Sequence, residues 1–327
     1  MNARPGFAEK PTFRYSKVLT RDADEQAENL TDWDQTYDQL TPGKFSGSLT
    51  DIWFDDIQLF REITNQSVHE AGSSWSGSRT FGVPLAMDGA ACFRGRPMSE
   101  DMMLTLGGDE ELDFRTSQSM DLVGIAVADG VFSRFWQNVE SPASDGHMQG
   151  RFLIRGRAAQ MAELREFLRA VFDVLEDSPE VLAEAVTRKS LQNAILGNLT
   201  TVLADSPDEL PANTAAQRRQ VVEWAKAYDL EHLDEAVTVA ELCARIGVSR
   251  RHLQYCFQEV LNTNPVQYLR AVRLNRVRRE LKVGAGNGAS VQDVAARWGF
   301  WHLSHFASDY RKMFGELPSQ TLYGCAA

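Results

Sequence analysis

Two short groups of polar side chains near the C-terminus have the residue types and spacing to read a nucleic acid. The first is Arg250, Arg251, His252, Gln254 and Tyr255; the second is His302, Ser304, His305 and Ser308. Arginine and glutamine make paired hydrogen bonds with guanine and adenine edges in a major groove, while serine serves several bases. Each group is interleaved with a helical apolar stripe. Leu253, Phe257 and Leu261 stand at i, i+4 and i+8, and Phe306, Tyr310 and Phe314 repeat them 53 residues later. The polar residues therefore share the outer face of two helices whose inner faces are core.

Something must hold those helices, and the sequence supplies it twice. TVAELCARIG (Thr238–Gly247) precedes SVQDVAARWG (Ser290–Gly299) by 52 residues. Thr238 with Glu241 makes a capping box, and Ser290 with Asp293 resembles one. Cys243 and Ala295 are small, where a second helix must cross closely. Gly247 and Gly299 follow four residues later, at a helix end where a left-handed residue is needed. A small residue, a glycine at i+4 and a new amphipathic helix are the helix-turn-helix pattern. Between the copies, Pro265 opens a helix running to about Val283. Tyr268, Leu269, Val272, Leu274, Val277 and Leu281 are its apolar positions; Arg270, Arg273, Arg276, Arg278, Arg279 and Lys282 make it basic. Its roughly 28 Å length suits two recognition helices set in successive major grooves about 34 Å apart. Arg273, Arg311 and Lys312 are expected at phosphates.

Thr238–Tyr323 resembles the DNA-binding domain of the AraC/XylS transcriptional regulators. The resemblance is carried by GFWHLSHF (Gly299–Phe306), YRKMFG (Tyr310–Gly315) and LPS (Leu317–Ser319). It implies seven helices, with recognition helices near Arg250–Leu261 and Leu303–Phe314. It further implies activation of transcription through RNA polymerase, and an N-terminal cupin-like β-barrel followed by dimerising helices. The second recognition helix lacks an arginine at its exposed start, which shifts weight there to phosphate and shape contacts. The glycine-rich VGAGNGA (Val283–Ala289) is expected to loosen the coupling between the units.

Upstream, residues 1–44 are polar without a sustained period and are expected to be a flexible arm. Short runs then alternate with Gly, Ser, Asp and Pro: Leu49–Phe54, Ile57–Ile63, Arg79–Pro84, Ala90–Arg94, Met102–Leu106 and Leu122–Val127. That rhythm predicts an antiparallel sandwich or barrel. Two amphipathic helices follow. Ala158–Leu175 carries Met161, Leu164, Leu168, Val171, Phe172 and Leu175; Pro179–Leu203 carries Leu182, Val186, Leu191, Ile195, Leu199 and Val202. They pack on the sheet, form a dimer seam centred on Leu168, or do both. The fold class is α+β: a cupin-like antiparallel β-barrel or sandwich with trailing helices over 45–203, a linker at 204–213 (ADSPDELPAN for Ala204–Asn213), and an all-α domain with two helix-turn-helix units over 214–327.

Charge follows the same division. The chain of 327 residues carries a net −11, yet 15 Lys/Arg face 11 Asp/Glu from Ala212 onward, and 12 face 6 from Thr238. A basic module on an acidic domain binds phosphate locally. Trp53, Trp75, Phe81, Phe93 and Phe114 are candidates to line a pocket for a small organic effector, or are plain sheet core. His69 is the lone histidine of the β region, so neither a metal-dependent oxygenase nor any cofactor is expected, and His69 reads as an ordinary polar residue. Cys92, Cys243, Cys256 and Cys325 form no CxxC pair and read as reduced thiols. An enzyme with an appended DNA-binding domain would need an activated cysteine, for which Cys92 beside Arg94 and Arg96 is the only hint. No run of eighteen apolar residues and no apolar leader appear, so the expectation is a cytoplasmic homodimer on double-stranded DNA, controlled by an effector or by a protein partner.

Overall fold

The computed structural model describes residues 13–139, 151–204, 213–232, 237–284 and 288–324. It opens with structure where an arm was expected: strand β1 (Phe13–Thr20), helix α1 (Ala23–Asn29) and strand β2 (Asp34–Gln39). β1 is an edge strand against β3 (Gly47–Phe54), and its outward positions are free to be polar. That is why this segment carries no strong hydrophobic signal. β4 (Ile57–Thr64), β5 (Val68–Ser73), β6 (Ser78–Asp88), β7 (Ala91–Phe93), β8 (Arg96–Met98), β9 (Met102–Gly107), β10 (Leu112–Arg115) and β11 (Ser119–Ala128) follow. After helix α2 (Asp129–Val139), β12 (Leu153–Arg155) closes the set.

The strands form two antiparallel sheets. One runs β1-β3-β4-β11-β6-β9-β12, the other β2-β5-β10-β7-β8. They are a sandwich rather than a closed barrel. Leu104, Leu112, Phe114 and Leu122 fill the space between them, and Phe60 lies over Gly124 so closely that a Cβ there would overlap its ring. The interior also buries Glu62, whose carboxylate accepts from the Tyr37 hydroxyl at 3.1 Å and which burial pushes up to about 7.

The other face of the seven-stranded sheet is covered by α2, α3 (Ala158–Asp177) and α4 (Ala185–Ala204), with a short 3-10 turn at Pro179–Ala183 breaking what the sequence pattern joined. Alternation along the strands sends Ile52, Phe54, Phe81, Val83 and Ile125 to this side, against Met161, Leu164, Leu168 and Phe172. Leu168 has no exposed surface. The stripe of α3 is therefore core at Met161, Leu164, Leu168 and Phe172, and a dimer seam at Leu168 is corrected accordingly. Val174 and Val186 are the large apolar side chains that α3 and α4 leave open to solvent.

Most of the expected linker lies outside the described residues, which resume at α5 (Asn213–Glu231). Then come α6 (Val239–Ile246), α7 (Arg250–Leu261), α8 (Pro265–Gly284), α9 (Val291–Arg297), α10 (Leu303–Phe314) and α11 (Pro318–Tyr323), so seven helices are described here. The middle of the glycine-rich segment, 285–287, also lies outside the described residues. α8 belongs to both halves: Tyr268, Leu269 and Val272 complete one core with Leu253 and Phe257, while Leu274, Val277 and Leu281 complete another with Phe306 and Tyr310. No helix among the described residues is long and apolar enough to cross a membrane.

Candidate nucleic-acid interface

The first unit is built by its caps. Thr238 accepts from the Glu241 amide while Glu241 accepts from the Thr238 amide at 2.7 Å, a reciprocal capping box that fixes the start of α6. Gly247 ends it at φ 75° and donates to the Cys243 carbonyl at 3.0 Å, turning the chain into α7. Ser249 caps α7 through the His252 amide. Leu253, Cys256, Phe257, Val260 and Leu261 are buried, which leaves Arg250, Arg251, His252, Gln254 and Tyr255 all exposed on the other side. Arg218 of α5 sits 4.9 Å over the Tyr255 ring.

The second unit repeats the design with different chemistry. Ser290 accepts from the Asp293 amide, and its hydroxyl donates to the Asp293 carboxylate at 2.6 Å. Gly299 takes φ 78° at the turn. α10 then buries Phe306, Tyr310, Met313 and Phe314 and exposes His302, Ser304, His305 and Ser308, along with Arg311 and Lys312. Trp301, immediately before it, is 75% exposed. Sequence reasoning passed over Trp301 as part of a motif; its signal was an aromatic outside the i, i+4, i+8 stripe. Between the units lies a groove of about 410 Å³, lined in part by Arg250, Arg270 and Gly299.

The arginines of α8 point elsewhere. Arg273 reaches the Val237 carbonyl at 2.7 Å and faces Asp229 at 3.8 Å, and Arg276 pairs with Asp229 at 3.1 Å. Expected at a phosphate, Arg273 is instead turned inward to the start of its own unit. Arg278 binds Asp22 and Glu316, Arg279 binds Asp24 (2.6 Å) and Asp38 (2.9 Å), and Lys282 binds Asp22 and Asp24. Arg270 pairs with Asp309. The basic helix is thus answered by acids, several of them from the segment β1–α1–β2.

The Helix-turn-helix domain family matches residues 242–323. A probable thc operon regulatory protein of Rhodococcus erythropolis is 36% identical over 102 residues, 31% of each chain. The XylDLEGF operon transcriptional activator of Pseudomonas putida is 36% identical over 95 residues, 29% of this chain and 30% of its own. A solved structure of a probable AraC family transcriptional regulator from Rhodopseudomonas palustris CGA009 is 35% identical, covering 32% of this chain and 94% of that one, with a TM-score of 0.29. Over residues 242–323 the chain carries a helix-turn-helix domain similar to that of the AraC/XylS transcriptional regulators. It spans about a third of the length of the curated relatives it matches.

The sandwich and the helical region are also joined by a buried cluster. His69 Nε2 donates to Asp113 Oδ1 at 2.8 Å, Lys226 Nζ of α5 donates to the same oxygen at 3.1 Å, and the Tyr268 hydroxyl of α8 meets His69 Nδ1 at 3.4 Å. Burial alone would push the Asp113 carboxyl up, but Lys226 and His69 outweigh it and hold it well below the usual carboxylate range. Burial works against the Lys226 ammonium as well, yet Tyr268, Asp113 and Glu223 raise it. His69, read from sequence as an ordinary polar residue, is part of a domain junction; its partners lie 44 and 157 residues away, beyond any local pattern. Gln39 and Asn275 add a reciprocal pair of hydrogen bonds at 3.1 and 2.9 Å.

The five aromatic residues expected to line one pocket are not brought together. Phe93 and Phe114 meet inside the sandwich. Phe81 points to the helix-covered face against Phe132, and Trp53 touches Trp75. The cavity between the sheets measures only about 20 Å³, room for a water rather than an organic effector. Cys92 is buried and its thiol is pushed up to about 12 by burial, which leaves it far from an activated thiolate. Among the described residues no group of His, Cys, Asp and Glu is arranged to hold a metal.

Proposed function

We propose that the regulator binds a bipartite DNA site, with α7 and α10 entering successive major grooves. Arg250, Arg251, His252, Gln254 and Tyr255 read the first half, and His302, Ser304, His305 and Ser308 the second. Arg311 and Lys312 hold phosphates. The observation that carries this reading is a contrast in pairing. The α8 arginines are taken up by acids, whereas Arg250 and Arg251 stand exposed with no ion pair among the described residues. α8 has 20 residues, about 30 Å at 1.5 Å each, close to the separation of successive grooves.

The division into a sensing domain ending near residue 203 and a DNA-binding domain from about 214 belongs to the same proposal. So do activation through RNA polymerase, assembly as a homodimer and control by a small organic effector. Two copies of a double-headed reader raise the effective concentration of one for the second site. Hydroxyl-radical footprinting of the full chain on a selected operator tests the core of the reading. Protection in two patches one helical turn apart is expected; one patch, or protection indifferent to sequence, defeats it. For the assembly, Val174→Glu with Val186→Glu is expected to lower the sedimentation coefficient, and an unchanged coefficient removes α3 and α4 from the interface.

A further inference from the structure

Two carboxylic acids lie inside the sandwich with no cation to answer them. Glu62 of β4 and Glu70 of β5 are 5% and 4% exposed, and they reach the same cavity of about 20 Å³ from opposite sheets. Its lining holds no Lys, Arg or His among the described residues, and Leu30, Phe60, Leu104 and Phe114 make much of the wall apolar. The polar neighbours are uncharged. β2 brings Tyr37, which stands opposite Glu70 in the strand register and whose hydroxyl donates to Glu62 at 3.1 Å. α1 brings Gln26 to Glu62. β6 brings Thr80, which is 2% exposed, lines the cavity and has a hydroxyl without a partner. Alternation puts it on the inner side, since Phe81 faces the helices. Tyr37 is the one other titratable group on the described wall. Burial and both carboxylates push its hydroxyl well up, so it stays a donor.

A carboxylate in such a place is costly unless it is neutralised. With no cation at hand, a proton neutralises it. Burial pushes Glu62 up to about 7. Burial, aided by the Glu62 charge, holds Glu70 well above the usual carboxyl range. What the pair bears on is β2. That strand is the edge of the five-stranded sheet and pairs with β5 alone. It also grips α8: Arg279 donates to the Tyr37 carbonyl at 2.8 Å and pairs with Asp38 at 2.9 Å, and Gln39 exchanges hydrogen bonds with Asn275. α8 in turn completes the cores of both helix-turn-helix units. We propose that Glu62, Glu70 and Tyr37 form a proton-operated latch on β2. With the carboxyls protonated, β2 lies closed on the sandwich and holds α8. With both ionised, two like charges share one small cavity, water must enter, and β2 loosens together with its grip on α8. The chain thus carries a hydrogen-ion input to the helical domain that needs no effector. Because the folded values are raised, the closed state holds protons that the opened state gives up. Closure is firmest below the ordinary carboxyl value of about 4.3 and weakens about tenfold per pH unit for each proton released, levelling off above the folded value.

Amide hydrogen exchange of the full chain, read by mass spectrometry as protection relative to the unfolded peptide, tests this. Protection of β2 is expected to fall by about tenfold or more between about pH 5 and 7.5, with residues 275–282 of α8 falling in step. Glu62→Gln and Glu70→Gln keep the size of the protonated acid and cannot ionise; each is expected to flatten the fall, and the double variant to abolish it. Protection of β2 that ignores pH in the wild type, a fall as steep in the double variant, or an α8 that is unmoved while β2 loosens overturns the proposal. If the glutamine variants do not fold, Tyr37→Phe decides the matter. Removing the hydroxyl that donates to Glu62 makes ionisation harder, so the fall should continue to higher pH before it levels. A levelling point unchanged from wild type overturns the latch in that case.

Discussion

The helical domain presents two basic surfaces that composition cannot tell apart. On the proposed recognition face, Arg250, Arg251 and Gln254 of α7 are exposed. On the docking face, Arg278 and Arg279 of α8 and Lys226 of α5 meet Asp22, Asp24, Asp38 and Asp113 of the sandwich domain. The difference lies in who answers the charge. A cation with its acid already in place is part of the fold and has little left to give a phosphate. A cation on an open helix face still holds its attraction for DNA. The net +6 after Thr238 therefore overstates the charge offered to DNA.

The largest effect should come from breaking the docking face. Asp113→Ala leaves Lys226, 11% exposed at its side chain, with Glu223 at 2.9 Å as its remaining acid among the described residues; the expected loss is about 3 kcal/mol of stability, the low end for breaking a buried pair. Urea unfolding of the variant measures it, and Lys226→Met in the same background should recover much of the loss. If Asp113→Ala unfolds like wild type, the cluster does not hold the domains. Acid should mimic the substitution. The Asp113 pKa is depressed in the fold, so its contribution is present above the unfolded value and lost as pH falls through the folded one. Stability is expected to drop below about pH 4, with a shallower acid slope in Asp113→Ala.

Salt should separate the two faces next. Affinity for DNA falls with a log–log slope of about −0.9 per phosphate neutralised, so four phosphate contacts lose on the order of a hundredfold between about 50 and 200 mM. The docking pairs are partly or wholly buried and are screened far less. Fluorescence anisotropy with labelled operator and thermal melts over the same salt series are expected to diverge. Parallel decline in both would erase the distinction.

The two faces also differ in how far the sequence disclosed them. The recognition units were legible because their determinants are local: a cap and its partner three residues on, a glycine at a left-handed turn, an apolar residue every fourth position. The strands from β3 to β11 that read clearly, such as β4 and β6, are those with long apolar faces. The docking face was not legible. Asp22 and Asp24 look like solvated loop residues until Arg278 and Arg279 are placed beside them, about 255 residues away. Segment 13–39 reads as an arm for the same reason: its polar residues have distant partners. The aromatic pocket failed on parity. Phe81 lies on the sheet face opposite to Phe114, and period-2 alternation fixes which face a residue takes only once pairing is known.

Within the recognition face, Arg251→Ala is expected to cost about 1–3 kcal/mol on operator and to relax preference at the first half-site, with Gln254→Ala behaving similarly. Arg311→Ala, placed at the last turn of α10, should weaken specific and random DNA by the same factor, as a phosphate contact does. Selection from a randomised library by each variant checks this. Equal losses on specific and random DNA for Arg251→Ala would move it from base to phosphate.

The smallest effects should come from α10. Ser304 and Ser308 are one turn apart on its exposed side, and a single neutral hydrogen bond contributes about 0.5–1.5 kcal/mol net. Neither hydroxyl can form the paired contact that arginine makes, so Ser304→Ala or Ser308→Ala should lower affinity by less than about tenfold and blur the second half-site only slightly. Reading there then depends more on the shape of the groove than on base edges. Substituting base pairs in the second half-site that leave groove edges alike but change step flexibility discriminates between the two. If such changes matter more than Ser304→Ala, the two units read by different means from one scaffold. If Ser304→Ala matters as much as Arg251→Ala, α10 is a direct reader of the same rank, and the asymmetry between the units falls.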